Sequence, residues 1–312
     1  MSPPVAVIDI GSNSIKLLVA ARDAAGGITA LHTRTIEARI SQGISQAEPQ
    51  LGEEAMARGL DAIQSLLADA RLHTPDQTLL VATSAVRDAK NGAEFRQRVE
   101  AATGHAIRIL SGAEEAQLIG RGLTCDPALQ HLRDFYVFDL GGGSLECLAF
   151  KDRKLDQAAS LQLGAVRLME QFVSDPAKPM LRVRHRIMMH VQEELVRGPF
   201  RFSFPVGAVA VGTGGTVATA RAILGAAQGK SFAESDPLVR VTQLRLLFTR
   251  LARMTLEERR QVPGLPAGRA DIMPTALVTL VVLANISAIE GYRHSAYNLR
   301  YGLAADALGA QF

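Results

Sequence analysis

The chain is 312 residues long, 47% hydrophobic and 21% charged, with 27 glycines and 13 prolines, which excludes a disordered polypeptide and suits two globular domains. The formal net charge is only +3. Arginine far outnumbers lysine; its planar fork suits phosphate, although a GC-rich coding sequence accounts for most of these residues equally well. Two cysteines, Cys125 and Cys147, are too few for a disulfide framework or a zinc site and read as packed thiols in a reducing compartment.

The opening Met1-Ser2-Pro3-Pro4 has no basic stretch, so no secretory signal is expected and the protein is read as cytoplasmic. Residues 5–10 (VAVIDI) and 15–20 (IKLLVA) are apolar, β-branched runs around Gly11-Ser12-Asn13-Ser14 and predict a hairpin. Met56, Leu60, Ile63, Leu67 and Ala70 recur at spacings of four and three, predicting an amphipathic helix on the first sheet. TLLVAT (78–83) reads as a strand, Arg87 opens a helical stretch, and IRIL (107–110) is a further strand before the helix that starts after Ser111. Strands alternating with helices predict an α/β fold.

The polar segment 124–134, with Asp126-Pro127, separates the first half from the second. The expected domains are 1–122 and 123–312, with the last helix, about 299–312, packing back on the first. Residues 136–150 repeat the opening design, since YVFDL and LECLAF flank Gly141-Gly142-Gly143-Ser144. Aligning Asp9 with Asp139 makes the chain internally duplicated. Two similar domains facing one another would place both turns in one cleft.

After a loop at 174–179, residues 182–197 predict a basic amphipathic helix. Residues 208–217 predict a strand and a glycine turn, followed by a helix over 217–224 and a mainly helical remainder to Ile289. The uncharged run 272–289 is near the lower limit for a membrane span. Pro274, Thr275, Thr279, Asn285 and Ser287 interrupt it and favour a buried core helix.

Small-residue turns after strands let backbone N–H groups converge on an anion. Gly11–Ser14, Gly141–Ser144 and Gly212–Thr216 are three of them. Asp9 and Asp139 end apolar strands, where a carboxylate needs a cation or donors; for Asp9, magnesium and a contact with the turn's own amides are equally good readings. Ser111-Gly112-Ala113-Glu114 is a capping box that commits Glu114 to structure and leaves Glu115 as a candidate base. Arg87 reads either as a phosphate clamp or as a surface partner of Asp88 or Glu94. His185 and His190 are five apart, wrong for a metal pair on one helix face. There is no Walker-type lysine loop, nucleophile elbow or dinucleotide fingerprint.

Taken together, VAVIDIGSNSIKLLVA, VATSAVRDA, ILSGAEEAQLIGRG, VFDLGGGSLE, LQLGAVRL, VGTGGTVATA and NLRYGL resemble, in order, the exopolyphosphatase and guanosine pentaphosphate phosphatase (Ppx/GppA) family in its short two-domain form. The resemblance implies a duplicated ribonuclease H-like fold, shared with actin, sugar kinases and heat-shock ATPases, with an interdomain cleft. It implies Glu115 as base, and Asp139 and Glu146 organising Mg2+ or another divalent cation and the attacking water, with Asp9 nearby. Phosphate contacts would come from Ser12, Asn13, Ser14, Gly142, Gly143, Ser144, Thr213, Gly214, Gly215 and Arg300, and Arg87 would be the clamp.

Two departures stand out: Leu145 where the family usually has threonine, and Tyr301 where it usually has an acidic residue. The expected substrate is inorganic polyphosphate, with guanosine pentaphosphate (pppGpp) as the nearest alternative. A catalytically weak polyphosphate or nucleotide sensor and a kinase of the same fold rank below these. A homodimer is implied by the resemblance; neither DNA nor a membrane is expected as partner.

Overall fold

The computed structural model describes residues 2–310, which form two compact units: residues 2–131 with 297–310, and residues 132–296. In the first unit, β1 (Val5–Ile10), β2 (Ile15–Arg22) and β3 (Ile28–Ile36) form an antiparallel meander. Helix α1 (Glu53–Arg71) leads to β4 (Gln77–Ala82), which pairs parallel with β1. After the short α2 (Ser84–Asp88) and α3 (Gly92–Thr103), β5 (Ile107–Ile109) pairs parallel with β4, and α4 (Gly112–Thr124) follows. The sheet order is β3-β2-β1-β4-β5.

The core explains the patterning. Ile8, Ile10, Leu17 and Val19 meet Met56, Ile63 and Leu67 of α1 in one buried cluster, so the apolar stripe on α1 covers the sheet as its spacing predicts.

The second unit repeats the design. An antiparallel meander of β6 (Phe135–Leu140), β7 (Leu145–Lys151) and β8 (Lys154–Leu161) precedes α5 (Ala165–Phe172) and α6 (Arg184–Arg197). Then β9 (Ala210–Thr213) pairs parallel with β6 and runs into α7 (Gly214–Ala226). The edge strand β10 (Leu238–Arg240), α8 (Val241–Leu251), α9 (Leu256–Arg260), α10 (Met273–Ser287) and β11 (Gly291–His294) complete a sheet ordered β10-β11-β9-β6-β7-β8. Both sheets thus have the duplicated ribonuclease H-like topology, three antiparallel strands extended by parallel neighbours of the first. Of α10, 13 residues are buried, and no helix among the described residues is long and apolar enough to cross a membrane.

Helix α11 (Leu299–Ala307) returns to the first unit and packs on α4. The two helices touch through their backbones: a Cβ on Gly122 would collide with the Asn298 carbonyl, and one on Gly302 with that of Leu118. Only glycine at these two positions permits so close an approach.

Candidate functional site

The two hairpin turns are closed alike. Gly11 N–H donates to the Ser14 carbonyl (3.2 Å) and Gly141 N–H to that of Ser144 (3.0 Å). Among the described residues the amides of Ser12, Asn13, Gly142 and Gly143 enter no other backbone hydrogen bond, so each turn keeps donors for an anion.

In the first unit, Asp9 on β1 lies directly opposite Lys16 on β2. Ser12, Asn13 and Ser14 are each 4% exposed, and the Ser12 hydroxyl is 3.0 Å from that of Ser84 at the start of α2. Arg87, on the same short helix, donates from Nη1 to the Leu110 carbonyl (3.0 Å) and from Nε to Asp88 Oδ1 (3.2 Å). Its Nη1 also meets Glu115 Oε2 at 3.3 Å. Glu114 caps the helix as its spacing implies. Glu114 accepts from the Ser111 amide (2.9 Å) and hydroxyl (2.8 Å) in a complete capping box. These bonds and Arg108 at 2.7 Å hold its carboxyl down at about 2. Glu115, one position on, is 7% exposed. Arg300 donates from Nη1 to the Leu17 carbonyl (3.0 Å), tying α11 to β2.

In the second unit, Asp139 on β6 has Glu146 directly opposite on β7 and Thr213 beside it on β9. Directly opposed residues point to the same face with Cβ atoms about 5 Å apart. Thr213 Oγ1 donates to Asp139 Oδ2 (2.7 Å), and Ser160 Oγ of β8 donates to Glu146 Oε1 (2.8 Å). Gly214 has φ +76°, and a Cβ there would strike Asp139 Oδ1; one on Gly215 would strike the Arg269 guanidinium. Glycine is therefore required where α7 starts beside the carboxylate.

The Gly141 and Gly142 carbonyls accept from the first amides of α5, at 2.9 Å from both Ala165 and Val166, and Arg167 Nε donates to the Gly143 carbonyl (3.0 Å). The 141–144 turn is thereby held in shape from behind. Leu145 is fully buried, paired across the sheet with Leu140 and Leu161. Tyr301, 7% exposed, lies against Tyr297 with ring centroids 4.2 Å apart.

Five residues escaped sequence reasoning. Ser160 lies on a strand that carries no apolar run. Arg269 comes from a one-turn 3-10 helix, Ala267–Arg269. The adjoining segment is pinned by the wholly buried Arg259, which donates to the carbonyls of Ala270 (3.0 Å) and Pro176 (2.7 Å). Arg39 and Ser41 contact the first turn from the segment after β3. No spacing rule connects any of these to a glycine turn.

Among the described residues no group of three His, Cys, Asp or Glu side chains is placed to hold a metal ion. The Asp139–Glu146 pair nevertheless fits magnesium, a hard cation that takes one or two carboxylates and fills its remaining positions with water and substrate phosphate.

The Ppx/GppA phosphatase family model matches residues 18–311. The chain belongs to this family. Among solved structures, it is similar to an exopolyphosphatase-like protein at 26% identity and a TM-score of 0.87, covering 98% of this chain and 97% of that one. An exopolyphosphatase from Cytophaga hutchinsonii matches at 23% identity and 0.86, over 99% of both chains. The PPX-GPPA enzyme of Aquifex aeolicus matches at 24% and 0.74, over 97% and 99%. These likenesses establish a shared Ppx/GppA fold.

Proposed function

We propose that this family member is an exopolyphosphatase, which transfers the terminal phosphoryl group of inorganic polyphosphate to water. The observation that carries the reading is the Glu115 carboxylate, nearly buried and held at 3.3 Å by Arg87, while its neighbour Glu114 is spent on the helix cap. A positioned, oriented carboxylate suits a general base, and a guanidinium beside it suits a phosphoryl oxygen.

In this reading the amides and hydroxyls of Ser12, Asn13, Ser14, Gly142, Gly143 and Ser144 bind the phosphates. Thr213, Gly214 and Gly215 add a third small-residue wall, and Arg300 stands behind β2. Asp139 and Glu146, with Asp9 as a further candidate, would hold a divalent cation, which when bound supplies charge neutralisation at the phosphoryl oxygens. Glu115 takes a proton from water, the water oxygen bonds to the terminal phosphorus, and the bridging P–O bond breaks. The leaving group is a chain one phosphate shorter. Arg87 offsets charge on the transferring group.

The test is phosphate release from long-chain polyphosphate and from guanosine pentaphosphate, side by side, with and without magnesium. Magnesium-dependent release from polyphosphate, reduced at least about 100-fold in Glu115→Gln, is expected. Release from guanosine pentaphosphate alone would move the substrate to that nucleotide. An unchanged rate in Glu115→Gln would remove Glu115 as base, and tight binding without turnover would make the protein a sensor.

A further inference from the structure

The segment after β3 makes an unusual cover for the first turn. Arg39 N–H donates to the Asn13 carbonyl (2.9 Å), Ser41 N–H donates to the Ser12 carbonyl (3.2 Å), and Arg39 Nε donates to Asn13 Oδ1 (3.2 Å). Arg39 does this from φ +41°, in the left-handed region that non-glycine residues seldom occupy. Backbone in that region is retained where function or surroundings demand it.

Arginine can only donate, so its Nε–H fixes which end of the Asn13 carboxamide it faces. The oxygen meets Arg39, and the amino group is turned away from it. That group, Asn13 Nδ2, is buried and has no partner; so is the Ser41 hydroxyl. The two residues are 4% and 2% exposed. Buried donors without partners are rare, because each loses its hydration and gains nothing in return. Two of them on one cover and the turn beneath it call for an acceptor.

We propose that Ser41 Oγ and Asn13 Nδ2 form a donor pair for a phosphate oxygen of the substrate, with Arg39 as the positioning residue that sets the Asn13 amide. Both atoms lie out of solvent. Two properties agree with such a part: a backbone out of its preferred region at Arg39, and hydroxyls also on Ser12, Ser14 and Ser84, all buried nearby in sequence or by contact. The inference rests on the phosphohydrolase reading, which already places Asn13 on phosphate, and adds Ser41 and Arg39, which that reading does not use.

The experiment is thermal unfolding of the whole chain, alone and with tripolyphosphate, for the wild type, Ser41→Ala, Asn13→Ala and Arg39→Ala. Ser41→Ala removes only a hydroxyl that lacks a partner, so it should fold and raise the Tm of the unliganded protein by about 1–2 °C. The same change should weaken tripolyphosphate binding about fivefold to tenfold. Arg39→Ala should weaken it in the wild type and add nothing in the Asn13→Ala background, which a merely structural arginine would not do.

Wild-type binding that Ser41→Ala matches within twofold overturns the donor pair, and equal losses from Arg39→Ala in both backgrounds overturn the positioning role. Wild-type protein that neither binds tripolyphosphate nor releases phosphate overturns the phosphohydrolase reading itself.

Discussion

The turns after β1 and after β6 have the same length, the same closing hydrogen bond and the same strands around them, yet the residue facing the aspartate has changed sign. Lys16 stands opposite Asp9, whereas Glu146 stands opposite Asp139. Opposite charges across an antiparallel pair attract and like charges repel. The first pair is therefore self-compensating. The second needs outside help, and Thr213 and Ser160 provide it with one donor to each carboxylate. In the proposed reading both turns offer donors to phosphate, and the like-charged pair beside the second turn is the one better suited to a cation.

The largest expected effect comes from erasing that difference. Glu146→Gln should lower magnesium-dependent kcat by about 1,000-fold, the scale seen when one charge-stabilising group is lost. Lys16→Glu, which gives the first turn the charge pattern of the second, should instead raise KM about tenfold or more through repulsion of the phosphate chain. Steady-state kinetics decide. If both variants changed kcat alike and left KM unmoved, the two turns would not differ in role.

The same comparison shows what the sequence discloses. Both hairpins and the Glu114 cap were legible because each depends on residues within a few positions of one another. β3 and β8 were not read as strands. Both are sheet edges with mostly exposed or half-buried residues, and ITALHTRTI and KLDQAASL lack the apolar runs of their neighbours. β10 and β11 span only three and four residues and, unlike the equally short β5 and β9, carry no flanking apolar run. Ser160, Arg269 and Ser41 act on groups 14, 54 and 29 positions away in sequence, and only the sheet register or loop path brings them there.

A smaller effect should separate the two sheets by pH. His294 on β11 pairs with Gly212 on β9, the strand that carries Thr213. β5, in the corresponding place of the first sheet, reads Ile-Arg-Ile. Burial, with Arg221 at 3.3 Å, pushes the His294 imidazole down to about 4. Since the unfolded value is near 6.5, the unfolded chain binds the extra proton between these limits and the folded one does not. Stability is then full above about pH 6.5 and falls as pH drops towards 4, by on the order of 2–3 kcal/mol. Denaturant titrations at pH 4.5 and 7.5 should show that loss in the wild type and less of it in His294→Gln. An equal loss in both would place the acid sensitivity elsewhere.

The smallest effect tests adjacent residues. Glu114 and Glu115 sit side by side at the start of α4, but one accepts from the Ser111 amide and the other meets Arg87. Glu114→Ala should lower stability slightly, because the Ser111 amide and hydroxyl lose their acceptor, and leave kcat unchanged. Glu115→Gln should do the reverse, because the amide keeps the size of the carboxylate and loses its basicity. Measuring unfolding free energy and phosphate release on both variants gives two independent axes. A loss of turnover in Glu114→Ala as large as in Glu115→Gln would mean that the cap fixes the geometry of the base, so that the structural and catalytic roles of this turn are one.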